Sequence, residues 1–199
     1  MTQLVPLRGT HYNLSLTVFE HSPMKKPAPI SLSMDDRRLL GSWAADCAVR
    51  VLKLFEARAP SDTRPREAIR GIRIFAGGGE RTIALRNVAL AALAAARDVD
   101  DPVATAAARA AGFAASTAYT KALFASHHAK HAIGPAVYAA LARQLAADDA
   151  DSAADREIRW AIRHATPAVR EIISRWPARV RGRTKLDAFF YQLDAGLRG

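Results

Sequence analysis

The sequence predicts an all-α fold, a single globular bundle of about seven or eight helices in antiparallel pairs, and three observations carry that prediction. Apolar residues recur at helical spacing through most of residues 34–199. Alanine, the strongest helix former, supplies 26 of the residues between Ala84 and Ala147. Proline, glycine or short polar runs interrupt the pattern roughly every 20 to 25 residues, the length of a helix plus its turn. At 199 residues the chain fits one domain, burying roughly 70% of the surface its unfolded form exposes. Such a domain needs no disulfide or metal to hold it.

Residues 1–33 stand apart from this pattern. Tyr12, Leu14, Leu16 and Val18 alternate with polar or small residues as in a short strand, but Pro23, Pro27 and Pro29 follow and the chain offers no second strand to pair with. An extended or disordered N-terminal arm is expected for 1–33, with the all-α domain spanning 34–199. The first helix opens after Ser33, three positions before Asp36, a capping-box spacing. Its apolar stripe is Leu40, Trp43, Ala44, Cys47, Val51, Leu54 and Phe55. It stops at Ala59–Pro60. A polar turn leads to Pro65 in the first turn of the second helix, whose inner face is Ala68, Ile69, Ile72, Phe75 and Ala76 and which ends at Gly77–Gly78–Gly79.

A third helix is expected over 81–97, with Ala84, Leu85, Val88, Ala92, Ala95 and Ala96 inward. Asp101–Pro102 forms a cap and first-turn pair for a fourth helix running to about Tyr119. Its small inner face implies close approach to its neighbours. A fifth helix spans about 127–147, with a bend expected at Gly134–Pro135 because proline removes a donor and clashes with the preceding turn. Ser152 and Asp155 start a sixth helix carrying Ile158, Ala161, Ile162 and Ala165. Thr166–Pro167 starts a seventh, with Ala168, Val169, Ile172, Ile173 and Trp176 inward, and a short last helix holds Leu186, Phe189, Phe190 and Leu193.

The residues of the first two helices also carry a family resemblance. The run Trp43-Ala44-Ala45-Asp46-Cys47-Ala48, followed by Asp62-Thr63-Arg64-Pro65-Arg66-Glu67-Ala68-Ile69, resembles a family of bacterial putative immunity proteins of polymorphic-toxin systems, and the similarity continues to about Ala147. The resemblance implies a non-catalytic cytoplasmic protein that binds and neutralises a cognate toxin, without a cofactor. Three positions depart from the family's pattern. Val49 and Arg70 stand where acidic residues are expected, and Tyr119 where histidine is expected.

Charge narrows the partner. The formal net charge is +10, so an acidic or membrane-active toxin fits better than a basic nuclease. Some members of the family carry an exonuclease label, but the acidic cluster Asp148 to Glu157 reads as a solvated helix start, apart from any metal-binding histidine. The candidate binding residues are Asp46, Asp62, Arg64, Arg66, His127, His128 and His131. Asp62 can cap the second helix; Asp46 is expected to pair with Arg64 and tie the hairpin. His127 and His131 are spaced as metal ligands on one helix face, yet no acidic ligand lies near and no metal is expected. His131 is expected to pack against Tyr138 and the neighbouring helix. The histidine cluster would serve the alternative of a small-molecule enzyme.

A second alternative is nucleic-acid association through Arg175, Arg179, Arg181, Arg183 and Lys185. Only Trp176 is available for base stacking there, so weak, non-specific binding is expected. The single cysteine, Cys47, sits on the apolar stripe and reads as a packed residue in a reducing compartment. Neither an export signal nor a membrane-spanning run is expected from the sequence.

Overall fold

The computed structural model describes residues 31–120 and 129–199, so residues 1–30 of the expected arm, and His127 and His128, lie outside the described residues. Within them the fold is all-α: α1 (Met34–Glu56), α2 (Arg64–Ala76), α3 (Ile83–Asp98), α4 (Pro102–Ser116) ending in a 3-10 turn (Thr117–Tyr119), α5 (Ala129–Leu145), α6 (Ala150–His164), α7 (Pro167–Ser174) and α8 (Lys185–Arg198). Consecutive helices pack in pairs, α1 on α2, α3 on α4, α5 on α6 and α7 on α8.

Local chemistry sets most of the boundaries. Ser33 and Asp36 form the reciprocal capping box of α1, Asp101 accepts from the Ala104 amide ahead of Pro102, and Thr166 caps α7 ahead of Pro167. Thr82 caps α3, which moves its start past Arg81. A second capping box, Thr184 with Asp187, starts α8. Gly78 takes a φ of 107° after α2, a left-handed conformation that favours glycine. The bend expected at Gly134–Pro135 does not interrupt α5, which stays helical across it. Leu32, in the segment assigned to the arm, is buried against the second of the two cores.

Those two cores meet along α1 and α5. Ala44, Ala45, Ala48, Val51 and Phe55 of α1, with Ala139 and Ala142 of α5, join α2, α3 and α4 in the first, which is mostly alanine. Leu40, Trp43 and Cys47 of α1, with Ile133, Ala136 and Val137 of α5, join α6, α7 and α8 in the second. The alanines let helices approach closely: a Cβ placed on Gly112 of α4 would lie 2.7 Å from the Leu93 side chain of α3. Ala84 and Ala168, expected inward, are exposed. Each lies in the first turn of its helix, before the neighbouring helix covers it.

A buried carboxylate ties the two halves together. Glu157 of α6 is only 4% exposed and accepts from Arg50 of α1 at 2.5 and 3.1 Å, with Arg143 of α5 at 3.7 Å. Arg143 donates to the Arg50 carbonyl at 2.7 Å. The Arg50 guanidinium lies 4.0 Å from the centre of the Trp160 ring, which stacks on His164. The expectation of a solvated acidic helix start is therefore corrected at Glu157. Partners on α1 and α5 make its burial tolerable, because a carboxylate is removed from water only when paired and hydrogen-bonded.

Cys47 is buried on the second-core side of α1. Burial first, and the charges of Glu157 and Asp46 next, push its thiol well above the ordinary value. It should resist a thiol reagent in the folded protein and react fully on addition of denaturant. Rapid modification under native conditions, followed by mass spectrometry, would contradict this packing.

Candidate functional site

The α1–α2 hairpin places the candidate residues by simple register. Asp46 lies ten residues before the end of α1, about 15 Å along the axis, whereas Arg64 opens α2 beside the turn. The expected Asp46–Arg64 pair therefore does not form. Asp46 meets Arg73, near the far end of α2, at 3.3 Å, and Arg66 meets Glu56 at 2.5 Å, the ladder of an antiparallel pair. Arg64 instead bridges Asp62 and Asp98, each at 2.7 Å. Asp62 also accepts from the Arg64 amide at 3.1 Å, the first N–H of α2. The Arg64 side chain, outweighing partial burial, holds the Asp62 carboxyl below the ordinary carboxylate range, and the two carboxylates in turn raise Arg64.

His131 is exposed on α5, its ring 5.4 Å from Phe113, and Phe113 stacks on Tyr138 at 5.2 Å. Phe113, on the neighbouring helix α4, thus stands beside both rings. The basic segment after α7 is divided among several partners. Arg175 pairs with Glu171 and with Asp36 of α1, each at 2.8 Å, and Lys185 pairs with Asp151 at 3.0 Å. Arg179 lies over the Phe190 ring at 4.7 Å. Arg181 and Arg183 are exposed. Two of the five charges are thus taken up by carboxylates, Arg175 by Glu171 and Asp36 and Lys185 by Asp151.

The exposed apolar residues of α2 and α3 were less evident from the sequence. Ile74, Ile83 and Leu90 are 59%, 79% and 54% exposed, large apolar groups on neighbouring helices or their ends. Ile74 stands between two grooves, one of about 360 Å³ running to Leu85 and Val88 of α3 and one of about 510 Å³ running to Val49 and Leu52 of α1. Arg70 lines both grooves, and Arg66 and Arg73 line the second. Arg70 has no carboxylate within ion-pair distance among the described residues. Val49 and Arg70, two of the three departures from the family's pattern, share the second groove. An acid at each place would make it far less basic.

Across residues 31–168 the chain matches the family described as Imm-5 like putative immunity protein. The chain belongs to this family. No curated protein and no solved structure matches it. Membership in the Imm-5 like family agrees with the all-α architecture and with an immunity role, and the matched region contains α1 to α6, including both grooves. Among the described residues of this Imm-5 like chain, no helix is long and apolar enough to cross a membrane.

Proposed function

We propose that this immunity-family protein acts without catalysis, in the cytoplasm, by binding a cognate toxin through the α2–α3 face. The observation that supports this reading is the exposed Ile74, standing between two grooves, one of them lined by Arg66, Arg70 and Arg73. An apolar patch rimmed by charge is the usual form of a protein-binding surface. Its occupant is a toxin domain with an apolar centre and an acidic rim on the side of the groove toward Val49, because three arginines line that groove, whereas Glu67 and Glu80 line the other, and the chain has a net charge of +10. A basic nuclease toxin would meet like charge here.

The test uses a large toxin encoded beside the gene for this protein. Coexpression of the wild-type chain should restore growth of cells making the toxin. An Arg70→Glu, Ile74→Glu double variant should melt like the wild type, since both side chains are exposed, and should fail to protect. Full protection by that variant, with loss of protection on Arg181→Ala, Arg183→Ala instead, would move the binding site to the segment after α7.

A further inference from the structure

A separate cavity of about 450 Å³ lies where the start of α1, the start of α3 and the end of the 3-10 turn converge, lined by Arg37, Arg81, Arg86, Tyr119 and Thr120. It shares no lining residue with the grooves around Ile74. Its charge is of one sign. No carboxylate lines it, and none of its three arginines has an ion-pair partner among the described residues.

Arg37 is held by carbonyl groups rather than by an acid. It donates to Leu32, to Ser33 at 3.0 Å and to Thr120 at 3.1 Å. Burial first, and the neighbouring charge of Arg81 next, push its guanidinium below the ordinary value. Its sequence neighbour Asp36 is engaged by Ser33 and Arg175. Tyr119 donates its hydroxyl to the Thr82 carbonyl and offers its ring to Arg81, 5.8 Å from the ring centre. Thr120 is 5% exposed, and its hydroxyl oxygen is buried without a hydrogen-bond partner among the described residues, as is Nε of Arg37. Buried polar groups in folded proteins nearly always have partners. Two such groups beside three arginines that lack an acid among the described residues make a setting suited to an anion.

We propose that this cavity binds a small phosphorylated molecule by its phosphate group. Arg37, Arg81 and Arg86 supply the charge, and the Thr120 hydroxyl supplies a further hydrogen bond. A doubly charged phosphate relieves the repulsion between Arg37 and Arg81 more fully than a single carboxylate does. The volume is within the range of small-molecule sites, about 300 to 1,000 Å³, so the cavity has room for a group attached to the phosphate.

Calorimetric titration of the full chain with inorganic phosphate and with pyrophosphate, at fixed ionic strength, tests this. Saturable one-to-one binding is expected for both. Arg81→Ala, Arg86→Ala should weaken it by about tenfold or more, and Thr120→Val should weaken it while leaving the melting temperature unchanged. Arg181→Ala, Arg183→Ala removes the same charge elsewhere and should have no effect on affinity. The proposal is overturned if neither phosphate compound saturates, if the two arginine pairs weaken binding equally, or if citrate binds as tightly as pyrophosphate.

Discussion

Replacing Glu157 with alanine should cost about 3 to 5 kcal/mol of folding stability, the usual consequence of removing one partner of a buried ion pair. The loss goes beyond a single contact. Without the carboxylate, Arg50 and Arg143 are left close together with no acid between them, at the place where α1, α5 and α6 hold the two cores in contact. Urea unfolding of Glu157→Ala, Arg50→Ala and the double variant gives the coupling directly, and the double variant should lose less than the sum of the singles. A loss below about 1 kcal/mol for Glu157→Ala, the range of a surface pair, would show that this carboxylate does not hold the helices together.

Trp43→Ala is expected to have an effect of comparable size, about 3 to 5 kcal/mol for emptying a buried aromatic site. In a chain of this length that lowers the melting temperature by roughly 6 to 20 °C. The ring is buried in the second core, and its Nε1 donates to the Ala161 carbonyl at 3.0 Å, linking α1 to α6. Trp43→Phe keeps most of the packing but loses that donor, so it should fall between wild type and alanine. If scanning calorimetry finds Trp43→Phe as damaging as Trp43→Ala, the hydrogen bond matters more than the packing.

These two residues show what the sequence made legible. Trp43 was readable because a helical stripe is a local pattern, and the same holds for the Ser33–Asp36 box and the pairs Asp101–Pro102 and Thr166–Pro167, each complete within four residues. Glu157 was not readable. It lies 107 residues from Arg50, and nothing in its own neighbourhood distinguishes it from the solvated acids before it. Arg175 is similar, since one of its carboxylates, Asp36, lies 139 residues away. The Asp46–Arg64 expectation failed for a geometric reason, because an antiparallel hairpin pairs residues equidistant from its turn. The Thr184–Asp187 box was local and open to sequence reading.

The candidate surface was legible only in pieces. Arg66 was named because the motif contains it, and Val49 and Arg70 because they break the family's pattern. Ile74, Ile83 and Leu90 gave no sequence signal, since an exposed aliphatic residue on a helix looks like any other until the neighbouring helix is placed. Likewise, Arg37, Arg81 and Arg86 come from two distant stretches of chain, and only the packing of α1 against the 3-10 turn brings them to one cavity.

Hydrogen–deuterium exchange on the protein with and without its toxin tests the central claim most directly. Toxin binding through the α2–α3 face predicts new protection in α2 and the first half of α3, residues 64–90, with the segment from Arg175 to Lys185 exchanging as in the free protein. Protection confined to residues 175–185, with α2 and α3 unchanged, would contradict it.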